Sequence, residues 1–547
     1  MTGDLEVKRE VQGDDEYYNF VVVIPVADRP RHLESCLDSL LELCRRFNYG
    51  GFDDGGYRKI SVVIADDSKE PANIESHQTI ADKFNRRGLR SHYFGQSEQL
   101  EQTSRLKKSL QSAADRIIGN TDPAAYYHKG ASMMRNITYL KLREWDGGSD
   151  DTLFYFIDSD QEFKVKVETA EGDRDLYAVN YFHSLNRIFR ETGAGILTGK
   201  VVGDPPVSPS VMTANFLEDV TAFLEQMSVI DISAPCSFHQ KNLPAADDAA
   251  YHDMADLFGF KQVATSFRYR CTLSGKHDHL DCFNHFASKL NRFFDGEHPT
   301  RKSYYSDGDL LASIQSARTI YTGNYIFKPE YLDYFIPFAA LKLRMAGPVL
   351  GRIIKAEVGD RFVSANLPML HKRTVREQGV SEFRPGIYRS LERVDLSGEF
   401  ERQFFGDVML FSMEQLTAAG FPKKMPTCDE IKKIVTTVEG DIYQKYLIKQ
   451  EQIGLKLQQL KTRLDDNSGW WNHHPELSES KEAFSHFIDN IENNFSTTSK
   501  GYRLIAPGAH KEERLTTICR SILLYNDDRE AWRRALKRED REPEQKQ

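Results

Sequence analysis

Two aspartates one residue apart, Asp158 and Asp160, flank Ser159 at the end of an apolar run, TLFYFI at 152–157. Carboxylates at i and i+2 on a turn can face one divalent cation, and hard oxygen ligands suit Mg²⁺ or Mn²⁺. A cation held there would bridge two phosphates and offset charge on a departing diphosphate. An Asp-x-Asp triplet alone is most often a solvated turn. Its place directly after an apolar strand favours the metal reading.

A second group with ligand chemistry is Cys271, His277, His279, Cys282 and His285. Thiolates and imidazoles bind zinc, but this spacing matches no common finger. Buried cysteines or a polar acceptor pocket are the alternatives. In the same stretch Asp253, Asp278 and Asp281 are candidate bases or acceptor ligands. Arg301, in the run EHPTR at 297–301, is placed to hold an anion. Asp278, Asp281 and Arg301 are thus the catalytic residues expected.

These groups need a scaffold. Residues 20–26 (FVVVIPV) and 59–65 (KISVVIA) are nearly all apolar and β-branched. That is the pattern of parallel strands buried on both faces. Between them Pro30 opens a helix to about 47, with Leu33, Leu37, Leu40, Leu41 and Cys44 on one stripe. Helical patterns follow at 71–87, 97–118, 129–145, 176–191 and 329–344, and strand patterns at 91–94, 152–157, 195–202 and 320–327. The alternation predicts an α/β fold, a mostly parallel sheet with helices on both faces. Ligands bind such sheets beyond the carboxyl ends of the strands. Asp28/Arg29, Asp66/Asp67 and Asp158/Asp160 all fall at such ends.

Residues 1–17 read as a charged lead-in, and 18–410 as the α/β domain, with 230–318 an acceptor-side insertion. Residues 411–547 read as a mainly α-helical region. Its amphipathic stripe fits a homodimer contact or packing on the first domain. The 547 residues are 40% hydrophobic and 28% charged, enough for a sizeable core, and the net charge is -9. The acidic balance argues against a nucleic-acid partner. No apolar run approaches the ~20 residues that span a bilayer. The acidic, polar start does not read as a secretory signal. Seven scattered cysteines, an odd number, suggest free thiols, so the expected location is cytoplasmic. GxxxxGK[ST], GxGxxG and GxSxG motifs are all missing.

In chain order, VVVIPVADRP, VVIADDS, KGASMMRN, FYFIDSD, TGNYIFKPEYL and LPMLHKR resemble segments of the GT-A glycosyltransferases, especially family-2-like members. The resemblance implies a GT-A fold, a nucleotide-sugar donor (UDP- or GDP-sugar) and Mn²⁺ or Mg²⁺. It implies a hydroxyl acceptor, either a small molecule or a glycan- or lipid-linked one. Carried over, Ala27 and Arg29 would sit beside the nucleobase, with Pro25 in the same donor site. Asp66 or Asp67 would accept hydrogen bonds from base or ribose. Lys129 and Arg135 would face the diphosphate as fixed cations, with Ser159 in the same donor site. Asp158, Asp160 and His371 would hold the metal, with Asp160 a direct ligand.

The chain departs from that family at one place. Inverting members often carry a Glu-Asp pair before a Gly-containing helix, and its carboxylate takes the acceptor proton. Residues 344–351 (RMAGPVLG) hold no carboxylate. This leans toward retention of configuration, as in relatives that make glucosyl- or mannosyl-glycerate compounds. It also supports an alternative, a non-catalytic GT-A-like binding protein. A nucleotidyltransferase that makes a sugar nucleotide is a further alternative.

Overall fold

The run FVVVIPV becomes β1 (Asn19–Val26), and its side chains alternate between two cores. The computed structural model describes residues 17–145, 151–169, 172–238, 267–336, 338–374, 382–390 and 393–537. The other principal strands are β2 (Ile60–Asp66), β3 (Arg90–Phe94), β4 (Thr152–Ile157), β5 (Ile196–Gly203), β6 (Asn324–Phe327) and β7 (Phe362–His371). They lie in the order β3-β2-β1-β4-β6-β5-β7, and the short pieces Gln315–Ser316 and Gln161–Glu162 pair with β7. β1 is parallel to β2 and β4, β2 to β3, and β5 to β7. β6 runs antiparallel to both its neighbours.

Five helices cover the sheet: α1 (Pro30–Phe47), α2 (Pro71–Arg86), α3 (Gln96–Leu110), α4 (Ala131–Trp145) and α5 (Tyr181–Glu191). Phe20, Val22 and Ile24 pack with α1, α2 and α5, while Val21 and Val23 share a core with α3 and α4. Fully burying one such aliphatic side chain is worth roughly 1.5–3 kcal/mol. Both faces are therefore committed, and only the strand ends are left for polar groups. The mostly parallel α/β sheet agrees with the expectation.

Beyond the sheet come α6 (Pro209–Ser228), α7 (His279–Leu290), α8 (Ala346–Val358), α9 (Ser397–Ala418), α10 (Cys428–Leu464) and α11 (Ser478–Phe495). α9 runs unbroken across residue 411, where the helical region is expected to begin. The helical region packs on the α/β part: α9 lies against α8, α10 against α6, and Trp532 donates to the Leu332 carbonyl at 3.0 Å. No helix among the described residues is long and apolar enough to cross a membrane.

Several expected elements differ. The helix over 97–118 is broken, because α3 ends at Leu110 and Gln111 takes φ 51°. The helix over 176–191 starts only at Tyr181, and 172–176 pairs instead with Val165–Thr169 in a hairpin. The strand over 320–327 shortens to Asn324–Phe327. Residues 329–344 form two 3₁₀ turns, Pro329–Tyr334 and Ala339–Leu341, rather than a helix. The proline at 337 has no N–H to offer a continuous helix, and Lys342 turns left-handed at φ 50°.

Candidate functional site

The carboxyl ends of β1, β2 and β4 open onto one cleft of about 560 Å³. Pro25, Ala27 and Arg29 reach it from β1, Asp67 from β2, Arg135 from α4, and Asp158, Ser159 and Asp160 from the turn after β4. His371, at the end of β7, completes this wall. Pairing makes the meeting local: His371 is in register with Gln161, and Lys372 donates its backbone N–H to the Asp160 carbonyl at 2.9 Å.

Asp160 is the electrostatic centre. Its Oδ2 lies 3.3 Å from Arg29 Nη1 and 3.5 Å from both His371 Nε2 and Arg373 Nη1. Burial pushes its carboxyl up, but His371, Arg29 and Arg373 together hold it well below the usual carboxylate range. Asp158 goes the other way. Burial raises it against the pull of Arg135, whose Nη2 donates at 2.6 Å, and neighbouring Asp160 adds repulsion. The Asp158 side chain keeps 35% of its surface open, while that of Arg135 keeps 7%.

His371 donates from Nδ1 to the Asp204 carbonyl at 2.7 Å. In the neutral ring this leaves the Nε2 lone pair facing Asp160, the arrangement of a metal-ligating histidine with its supporting acceptor. A divalent cation therefore fits Asp160 and His371 by donor chemistry. Asp158 is held apart by Arg135. Among the described residues, three or more His, Cys or carboxylate ligand atoms lie within 4.8 Å of one another only in a Cys/His cluster elsewhere.

The two aspartates after β2 serve the scaffold. Asp66 is buried and accepts from the Ser68 N–H at 2.8 Å, His77 Nδ1 at 2.9 Å and the Tyr93 hydroxyl at 2.8 Å. It does not line the cleft. Asp67 lines it, but accepts the backbone N–H groups of Lys129 and Gly130, both at 3.1 Å, and pairs with Lys129 Nζ at 2.7 Å. Lys129 is thus turned onto Asp67 and the Tyr126 ring, outside the cleft lining. The bonds from Asp67 orient the start of α4, where Gly130 takes φ 98°. That puts Gly130, Ala131, Ser132 and Arg135 on the cleft wall.

The segment 382–390 closes the other side. Arg29 is the residue before α1, so no polar side chain of its own sequence caps that helix. Glu382 accepts the N–H groups of Arg31 and His32 at 3.0 and 3.1 Å instead. Phe383 stacks on His128 with ring centres 4.0 Å apart, and its carbonyl accepts from Arg29 Nε at 2.8 Å.

Charge balance among the described residues of the cleft favours an anion. Arg29, Arg135, Lys342, Arg344, Arg373 and Arg402 line it against the carboxylates Asp67, Asp158, Asp160 and Glu401. Behind the wall, burial and then the repulsion of Arg373 and Arg29 push Arg384 down to about 9. Lys342, Arg344, Glu401 and Arg402 were not foreseen from the sequence. Arg373 was visible only as part of the run HKR. Nothing in the local pattern separates these from an ordinary charged surface.

The three residues expected to be catalytic lie elsewhere. Asp278 caps α7, accepting the Asp281 N–H at 3.0 Å, and Asp281 accepts the Asp278 N–H at 3.2 Å. This reciprocal capping box occupies both carboxylates. Arg301 is spent on buried Asp219, with Nε and Nη2 donating at 2.9 and 2.8 Å. None of the three lines the cleft. Asp253 falls outside the described residues.

The Cys/His group also has other members than expected. Cys236, Cys271, His277 and Cys282 converge. His279 is taken up by the Asp231 carbonyl at 2.6 Å and by Ser237 at 3.1 Å. His285 lies outside the group, its ring pushed down to about 4 by burial and then by Lys289.

No family model matches the chain, and no curated protein matches it either.

Proposed function

We propose that this chain is a glycosyltransferase of the GT-A type, moving a sugar from a UDP- or GDP-linked donor to a hydroxyl acceptor. One observation carries the reading: Asp158-Ser159-Asp160, His371 and the cations Arg29, Arg135 and Arg373 meet in one cleft beyond the ends of parallel strands. Asp160 and His371, with Asp158, would hold Mn²⁺ or Mg²⁺. When bound, the ion would supply positive charge at the departing diphosphate.

The chain's own groups do related work. Arg29, Arg135 and Arg373 are fixed cations aimed at the same wall, and such preorganised charge stabilises developing negative charge. The start of α4, with Ala131 and Ser132 on the wall, offers N–H groups suited to phosphate oxygens. Transfer breaks the bond from the anomeric carbon to the diphosphate oxygen and forms one to the acceptor oxygen. The acceptor proton then needs a base. Among the described residues, the four lining carboxylates all have partners: Asp67 has Lys129, Asp158 has Arg135, Asp160 has Arg29, and Glu401 has Arg514 at 2.8 Å. This supports a departing diphosphate oxygen as the proton acceptor, and with it retention of configuration.

A donor screen tests the proposal. The protein is incubated with UDP- and GDP-sugars, with Mn²⁺, Mg²⁺ or chelator, and released nucleoside diphosphate is followed. Metal-dependent release from one donor supports the proposal. No release from any donor, with no nucleotide shifting the melting temperature, sinks it. A second reading, a non-catalytic nucleotide-binding protein, draws on the hold of Arg135 on Asp158, which keeps that carboxylate from the other two metal groups. It expects nucleotide binding without turnover.

A further inference from the structure

We propose that Cys236, Cys271, His277 and Cys282 form a structural zinc site, separate from the cleft. Their four ligand atoms all lie within 4.8 Å of one another. Cys271 Sγ is 3.2 Å from His277 Nε2, and Cys282 Sγ is 3.4 Å from Cys236 Sγ and 3.6 Å from Cys271 Sγ. A tetrahedral ion with Zn–S near 2.3 Å and Zn–N near 2.0–2.1 Å has ligand–ligand edges of about 3.6–3.8 Å. The observed spacings sit just inside those edges. They are far from the ~2.05 Å of a disulfide, and all seven cysteines are free. A set of three thiolates and one imidazole selects zinc.

The surroundings are built for the charged form of the ligands. The N–H groups of Phe238 and Leu273 donate to the sulfurs of Cys236 and Cys271, each at 3.4 Å, which favours thiolates. His277 donates from Nδ1 to the Gly275 carbonyl at 2.9 Å, and its Nε2 faces the sulfurs. Backbone bonds stitch the ligand segments: Cys236 N–H to the His277 carbonyl at 3.0 Å, and Cys271 N–H to the Phe238 carbonyl at 3.3 Å. Four protein ligands close the coordination shell, so the ion's work is structural. It ties the chain leaving α6 to the start of α7. There Phe283 packs on Trp471 and Phe484 of the helical region, with ring centres 5.9 and 5.5 Å apart.

The test uses the full chain, expressed with zinc and purified without chelator. Metal analysis is expected to find about one zinc per chain that survives dialysis. Cys271→Ser and His277→Ala are expected to cut it at least tenfold, whereas Cys428→Ser, an exposed thiol, and Asp160→Asn leave it unchanged. If the ligand variants fold poorly, the wild type decides alone. Stripped protein titrated with Co²⁺ should give one equivalent of thiolate-to-metal absorption, which zinc then bleaches. Three results would overturn the proposal: wild-type protein that neither carries nor takes up zinc, zinc content indifferent to Cys271→Ser, or a disulfide mapped among Cys236, Cys271 and Cys282.

Discussion

Arg301→Met separates a structural cation from a ligand-binding one. Asp219, with none of its side chain exposed, accepts from Arg301 Nε and Nη2 and from the Thr300 hydroxyl at 2.5 Å. Removing one partner of a buried pair typically costs about 3–5 kcal/mol. Arg301 keeps a quarter of its own surface in solvent, which lowers that figure. An independent ceiling exists, because the stranded carboxyl can take up a proton. From an ordinary value near 3.9, protonation at pH 7 costs about 1.36 × 3.1, or roughly 4 kcal/mol. The expected loss at pH 7 is therefore about 2–4 kcal/mol. The sign with pH follows. Burial already raises Asp219 despite Arg301, and the variant raises it further. A raised carboxyl favours the folded state at low pH and disfavours it as pH rises. The loss should shrink by up to ~1.4 kcal/mol per unit on going from pH 7 to 5.5. Urea unfolding followed by tryptophan fluorescence reads it, since Trp470 bonds to the Met227 carbonyl at the end of the same helix, α6. Asp219→Leu in the same chain should restore most of the loss. An unchanged midpoint with a fall in donor turnover would refute the reasoning and return Arg301 to a ligand-binding role.

Other expectations are as specific. Asp407, which accepts from the Tyr446 hydroxyl at 2.6 Å and Gln403 at 2.7 Å, is pushed up to about 7, chiefly by burial. Its contribution is complete below about pH 4 and is lost as pH rises to 7. Asp407→Asn should flatten the unfolding midpoint between pH 5 and 8 relative to wild type, and superimposable curves would contradict it. A Cβ at Gly351 would stand 2.6 Å from the Thr319 Cα, so Gly351→Ala should cost about 1–3 kcal/mol. It should also weaken nucleotide binding, because Thr319 lines the cleft; a stable variant with wild-type affinity would show that the helix can shift without cost. Arg29→Met removes a hydrogen bond to an anion worth about 1.5–3 kcal/mol, so nucleoside diphosphate affinity should fall about tenfold or more. Equal dissociation constants in a calorimetric titration would remove Arg29 from the site.

How much was legible in advance varied with the physical origin of each feature. β4 was readable because every side chain of TLFYFI is buried, so its composition alone names a central strand and marks the turn that follows. The direction of β6 was not, since an antiparallel strand buried on both faces has the same apolar run as a parallel one. Gathering of the acidic turns at one edge followed from parallel alternation. The partner Arg373 of Asp160 did not, nor did the cap that Glu382 gives α1, because Arg373 and Glu382 lie more than 200 residues from the residues they meet. Cys236 escaped notice for a similar reason: 35 positions separate it from Cys271. Asp278 and Asp281 drew attention as acids near histidines, although i and i+3 spacing before an apolar run is also a helix cap.

The central claim is that the cleft binds a nucleoside diphosphate through Asp160, His371 and a divalent cation. Calorimetric titration of UDP and GDP into the full chain tests it, with Mn²⁺ and with chelator, for wild type and Asp160→Asn. The account predicts metal-dependent binding of one nucleotide, weakened at least tenfold in the variant. Absence of binding by the wild type, or equal affinity in both proteins, would contradict it.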